Sequence, residues 1–576
     1  MTNAISELNQ ERPGPRLWPG VLLLAIQWLT WLGLPIVAPG AAVYALLVGV
    51  LGGGVAIVLW WLVVSRLPWF ERAVGLLWMV AAPFAARYVV HHSVAPWVMT
   101  FVLFIPIACL GLVGWTAVVK NYPTAPRLAS LPAAAALACG LLALVRSDGV
   151  TGEGRFQLQW RWTPTAEQRL LAGSEGEFRT APTALPDAIG QVAWPGFRGP
   201  HRDGVVHGGV KLATDWSRSK PAELWRRPVG PGWSSFAVGG DLVFTQEQRG
   251  DDEIVACYRL ATGRPVWAHR DSARFWETVG GAGPRGTPTV HDGRVYALGA
   301  TGIVNALSAI DGNVVWSKNA AADTEVKVPE WGFAGSPLVV DDLVVVATGG
   351  RMVAYDRGSG ERRWLGPKGV GGYSSPHLTN IAGVRQILLL KGAGVVSVAP
   401  NDGAELWKHT WKGDGIVQPG LSADGDVFLG AGSGLNPETG LLRLAVQHIA
   451  EGWSVSERWT SRALKPYFND TVFHKGHAYG FDGGFLASVD LADGKRNWKG
   501  GRYGHGQVLL LADQDLLLVL SEAGVVALVQ ATPDKHTELA RFKAIEGKTW
   551  NHPVVVGDVL LVRNGEEMAA FRLLQP

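Results

Sequence analysis

Cysteine is nearly absent from this chain: three in 576 residues, with no CxxC or CxxCH spacing. A disulfide framework is thereby excluded, as are the usual zinc and c-type haem attachments. Charge is also thin. Asp, Glu, Lys and Arg make up 18% of the sequence, against about 25% in soluble domains. The small basic surplus, +3 overall, falls within the first 150 residues, so the remainder lacks the basic surface that a nucleic-acid partner requires. Apolar residues, by contrast, are abundant. A hydrophobic content of 48% and a mean hydropathy of +0.14 exclude wholesale disorder and imply a membrane-embedded portion.

Five apolar runs supply that portion: Leu17–Val37, Ala41–Val64, Ala73–Val90, Trp97–Val119 and Leu128–Val145. Each approaches the roughly 20 residues that a helix needs to cross a bilayer core. They predict an α-helical transmembrane domain of about five helices over residues 17–146, after a cytoplasmic tail over 1–16. Arg12, Arg16, Arg66, Arg72, Lys120 and Arg127 flank the runs on alternate sides, whereas the Ala38–Gly40 loop is uncharged. The positive-inside rule then keeps the N-terminus cytoplasmic. An odd number of spans places everything after Arg146 outside, which for a bacterial inner membrane is the periplasm. A polar stretch, 147–192, reads as a linker.

From there the sequence repeats itself. A turn containing Gly is followed four residues later by Trp at Gly263 and Trp267, Gly312 and Trp316, Gly360 and Trp364, Gly403 and Trp407, and Gly494 and Trp498. Gly between apolar, β-branched runs is a hairpin signal, because it tolerates the positive φ of the turn. Trp225, Trp459 and Phe542 extend the series, giving a period in the forties and eight units in all. Four short strands per unit at that period describe propeller blades. The last strands, Val559–Val562 and Met568–Leu573, lack a Trp strand, and Glu223-Leu224-Trp225 lacks a preceding blade. Joining them builds one blade from both chain ends and leaves no open edge. The fold expected over 193–576 is thus an all-β, eight-bladed β-propeller.

Residues 194–205, Trp-Pro-Gly-Phe-Arg-Gly-Pro-His-Arg-Asp-Gly-Val, the Trp-punctuated repeats, and the segments Trp233-Ser234-Ser235, Gly335-Ser336-Pro337 and Ser374-Ser375-Pro376 resemble the PQQ-binding-like β-propeller repeat proteins. That group includes quinoprotein alcohol dehydrogenases and noncatalytic BamB-type propellers. Apolar spans ahead of a propeller also resemble membrane-bound quinoprotein glucose dehydrogenase. The resemblance implies one of two roles. The first is a binding or scaffold module at the cell envelope, holding a protein or polysaccharide partner. The alternative is a PQQ- and Ca²⁺-dependent dehydrogenase that oxidises a sugar or alcohol and reduces a membrane quinone.

PQQ is planar and carries three carboxylates, so its site needs cations, a stacking aromatic, a Ca²⁺ held by oxygen ligands and a carboxylate base. The loops leading from each outer strand to the next inner strand meet at one mouth of the ring. There Arg285 and Lys548 are candidates to hold carboxylates, and Trp276, Trp331 and Trp550 to stack. Glu277 and Asn469 are candidates to ligate Ca²⁺, and Asp470 to act as general base. Tyr373, Gln418, Tyr467, His505 and Asn551 share those loops. The same residues serve equally as the lining of a narrow wet channel and as caps for loop backbone.

Overall fold

The computed structural model describes residues 15–38, 44–173, 178, 189–208, 211–422, 424–432 and 440–573. They fall into two units, Met1–Thr163 and Pro164–Pro576. Most of the expected cytoplasmic tail lies outside the described residues.

In the first unit, helices α1 (Trp18–Val37), α2 (Ala45–Val64), α3 (Trp69–Ala86), α4 (Trp97–Val119) and α5 (Thr124–Ala143) follow one another. Four of these, α1, α2, α4 and α5, are long and apolar enough to cross a membrane. The expectation of five spans is corrected on this point. The third run begins with Glu71 and Arg72 in the first helical turn and ends at Arg87, leaving 18 helical residues with Pro83 among them. Even so, α3 carries the chain from one end of the unit to the other. Its start is tied to that of α5 by the Arg127–Glu71 ion pair at 2.8 Å. At the same end the Trp60 indole donates to the Arg16 carbonyl, 3.0 Å. At the far end Ser93, just past α3, accepts from the Ser147 amide, 2.9 Å, and Arg155 donates to the Pro35 carbonyl, 2.6 Å. The basic residues that open the first helix and the point where the chain leaves are therefore at opposite ends. The stretch read as a linker is partly regular: Val145–Val150 pairs with Phe156–Trp160 as a hairpin, and Ala166–Gly173 is a helix.

The second unit is an eight-bladed propeller. From inner to outer strand, the blades run Ala237–Asp271, Thr289–Asn319, Leu338–Leu365, His377–Thr410, Gly420–Ser461, Val472–Arg502, Gln507–Lys543 and finally Val554–Arg572. Blade eight has only three strands from the C-terminal end. Its outer strand is Ala222–Pro228, which pairs antiparallel with Glu567–Arg572, so the ring closes as the sequence predicts. Ahead of that strand, Val192–Trp194 adds to the inner edge of blade one. Val205–Val206 then pairs in parallel with the inner strand of blade seven. The intervening segment, 195–204, therefore passes through the central channel.

The period reflects contacts between blades. In six of the eight outer strands the Trp indole donates to a backbone carbonyl at the hairpin of the next blade, as from Trp267 to Ala309 (3.0 Å) and from Trp316 to Arg357 (3.1 Å). Trp407 instead donates to Gln386 of its own blade, because the outer hairpin of blade five turns farther out, between Ile449 and Gly452. The indole also lies flat on the turn glycine. At Gly312, whose φ is +74°, a Cβ would sit 2.5 Å from the Trp267 ring. Gly293 has a similar φ of +70° with open space around it. Gly293→Ala then reports backbone strain alone, about 1 kcal/mol, and Gly312→Ala is expected to lose about 1–2 kcal/mol more through overpacking. Thermal unfolding of the two variants checks this; equal losses would remove the packing role.

Candidate functional site

Each inner strand is preceded, two residues upstream, by a polar side chain, and these link the blades around the channel. The Ser235 amide donates to Thr287 Oγ1 (2.9 Å), Thr287 to Ser336 Oγ (2.9 Å), and Ser336 to Ser375 Oγ (2.8 Å). Ser375 donates in turn to the Gln418 side-chain oxygen, 2.9 Å, with that amide assigned to satisfy both partners. Gln418 donates to Asp470 Oδ1, 2.6 Å. The belt closes where Ser235 Oγ donates to the His552 carbonyl, 2.6 Å. The Ser-Pro and Thr-Pro steps at Thr287, Ser336 and Ser375 were the sequence signal for it.

Asp470, the expected general base, is one link of this belt. It is buried, and its carboxylate faces Arg198 at 3.7 Å and His552 at 3.4 Å. Burial pushes the carboxyl upward, but Arg198 and His552 outweigh it and hold it below its ordinary value. Arg198 reaches it from the channel-threading segment and also donates to the Thr471 carbonyl, 2.8 Å. Neighbouring Asn469 turns its side-chain oxygen to the Tyr467 amide, 2.9 Å.

Above the belt, the mouth is aromatic. Trp233, Trp550, Phe468, Tyr467, Trp331 and Tyr373 form an arc with successive ring centroids 4.7, 4.7, 5.2, 6.4 and 5.0 Å apart. All six are partly exposed, and His505 packs against Phe468 at 5.7 Å. Lys548 lies over the Trp550 and Trp233 rings, 4.5 and 5.3 Å from their centroids, and donates to the Val279 carbonyl, 3.1 Å. Burial pushes its ammonium down to about 8. Burial also pushes the Tyr467 phenol up to about 12, with Asp414 adding to the shift, so the ring stays neutral.

Arg285 and Glu277 come together, 3.0 Å apart. Arg285 also donates to the carbonyls of Gly281, Ala282 and Gly283, and Glu277 accepts from the amides of Val279 and Gly280. Together they fix one loop, folded back where Trp276 pairs with Ala282.

A PQQ site asks for free cations and a Ca²⁺ ligand set, and these donors do not fit it. Arg285 and Glu277 are committed to each other and to their own backbone, and the Asn469 oxygen to Tyr467. Among the described residues no group of three or more His, Cys, Asp or Glu could hold a metal ion. Of the expected features, the stacking faces of Trp331 and Trp550 remain.

One titratable residue escaped the sequence reading, which saw Glu253 only as part of an acidic turn. It is buried, with Oε1 accepting from the Ala300 amide at 3.1 Å and Oε2 without a partner. Burial pushes its carboxyl up to about 7. A raised carboxyl favours the fold below the ordinary Glu range and loses that contribution as pH climbs through 7. Glu253→Gln is therefore expected to be about 1–3 kcal/mol more stable than the parent at pH 8, with the gain vanishing near pH 4. Melting temperatures across that range check it.

Residues 210–382 match the family described as outer membrane protein assembly factor BamB. Among solved structures the chain is similar to BamB from Moraxella catarrhalis, at 14% identity over 61% of this chain and 97% of that one, TM-score 0.44. It is similar also to quinohemoprotein alcohol dehydrogenase ADHIIG from Pseudomonas putida HK5, at 14% over 67% and 81%, TM-score 0.45. A third likeness is to quinohemoprotein alcohol dehydrogenase from Comamonas testosteroni, at 13% over 71% and 85%, TM-score 0.46. No curated protein matches the chain.

Proposed function

We propose that this protein is a membrane-anchored binding module whose propeller mouth holds an extended segment of an envelope protein. The observation that carries this reading is the aromatic arc. Its rings are packed against one another yet keep exposed faces, so they offer large contact area at little ordering cost. Aromatic anchors of this kind dominate protein-binding surfaces. The match of residues 210–382 to an outer-membrane assembly factor supports a protein partner.

The apolar helices fit a lipid bilayer. The propeller leaves the helical unit at the end opposite Arg16 and Arg127, which by the positive-inside rule favours the non-cytoplasmic side, the periplasm of a bacterial inner membrane. A photo-crosslinking residue at Val279, on the exposed rim of the mouth, tests the function in intact cells against one at Val314, on the outer strand of blade two. A defined protein adduct from Val279 alone, lost on Trp331→Ala with Tyr373→Ala, is the expected result. Equal adducts from both sites, or adducts from the mouth only to polysaccharide, would overturn the proposal.

A further inference from the structure

Beneath the polar belt, the channel contains a second feature that the mouth does not use: a cavity of about 380 Å³. Its walls are inner-strand residues of blades three to six on one side and the threading segment on the other. Arg198, His201, Arg202, His377 and Thr471 supply its polar lining.

Arg202 is buried, and every partner of its guanidinium is neutral. It donates to the carbonyls of Ser336 (3.2 Å), Pro376 (2.9 Å) and Pro337, and approaches Thr289 Oγ1 at 3.5 Å. None of these bonds uses Nε. Arg198 has Asp470 as its counter-charge, and Asp203, also in the lining, turns a carboxylate oxygen to the Val205 amide, 3.0 Å. No carboxylate pairs with Arg202. A guanidinium held out of water without a counter-charge is expensive, and burial pushes this one down to about 9.

Three further polar groups lack partners in the same walls. His377 is 4% exposed and makes no side-chain hydrogen bond, while Arg198 Nε and Thr471 Oγ1 are buried and unsatisfied. The backbone is strained here as well. Arg198 and Arg202 hold φ of +59° and +56°, a region that non-glycine residues adopt at a cost and that marks functional geometry.

We infer that this cavity is a binding site for a small oxyanion, a carboxylate or phosphate, held by the charge of Arg202 with His377 and Thr471 as hydrogen-bonding walls. The anion would neutralise the unpaired guanidinium and satisfy groups that the chain leaves open. The site is independent of the mouth, so neither proposal depends on the other.

Isothermal titration of the full chain in detergent, with inorganic phosphate and with succinate at fixed ionic strength against a chloride control, tests it. Saturable binding of either anion and a concentration-dependent rise in melting temperature are expected, and the preferred anion identifies the source. Arg202→Met removes three backbone contacts and is prone to misfold, so His377→Phe and Thr471→Val are the informative variants. Each keeps the volume of the wall, and affinity is expected to fall about tenfold or more. Absence of saturable binding, a melting shift no larger than with chloride, or affinity unchanged in both variants would overturn the inference.

Discussion

Replacing Arg198 with methionine is expected to destabilise the propeller by about 3–5 kcal/mol, because removing one partner of a buried ion pair strands the other. Asp470 would keep only the Gln418 amide and His552. The threading segment would also lose its bonds from Arg198 to the Thr471 and Asp203 carbonyls, both 2.8 Å. Asp470→Asn leaves the guanidinium stranded instead, while its amide oxygen still accepts from Gln418. The double variant should therefore cost less than the sum of the single changes, with a coupling of about 1.5–3 kcal/mol. The pH dependence follows from the depressed carboxyl. Its contribution is present above the ordinary Asp range and is lost as pH falls through the lower folded value. The gap between parent and Arg198→Met is thus widest at neutral pH and narrows below about pH 4. A gap constant with pH, or additive single changes, would show that Arg198 acts through packing alone.

Glu247→Leu is expected to cost a similar 3–5 kcal/mol, by the same stranding of buried charge, but at the seam of the ring. Glu247 is fully buried in blade one. It accepts from Tyr258 Oη (2.8 Å), Arg249 Nε (3.1 Å) and the Gly230 amide. Arg563, fully buried in blade eight, donates to the carbonyls of Gln246 (2.9 Å) and Gly230 (3.1 Å). Burial pushes the Glu247 carboxyl up, but Arg249 and Arg563 together hold it below its ordinary value. Without that charge two buried arginines lose their counter-ion where the chain ends meet. Hydrogen exchange should then accelerate first in the closing strand, Ala222–Pro228, while blade four stays protected. Uniform acceleration around the ring would contradict a local seam.

The blades were legible because ring closure imposes one contact eight times. The Trp must reach a hairpin of the next blade, and only glycine leaves room beneath the indole, so both residues recur at fixed spacing. Residue type alone could not assign the mouth. Asp470 looks like a general base, yet it fills a position where Ser or Thr sits in other blades, and its partner Arg198 lies more than 270 positions earlier in the chain. Arg285 and Glu277 likewise satisfy each other through a loop geometry that spacing does not encode. The segment from Trp194 to Val205 stood out only as a family mark, with no periodicity to indicate that it threads the channel. Spans were counted from apolar length, which overcounted at α3, where two charges occupy the opening turn.

The most direct measurement is titration of the full-length protein with PQQ and Ca²⁺, followed by quinone absorbance and dye reduction with aldoses or alcohols. With the mouth's charges satisfied by their own loops and its aromatic faces left for a protein segment, no saturable quinone binding and no substrate-dependent reduction are predicted. Stoichiometric uptake of the quinone with dye reduction would contradict that reading and make the mouth a catalytic site.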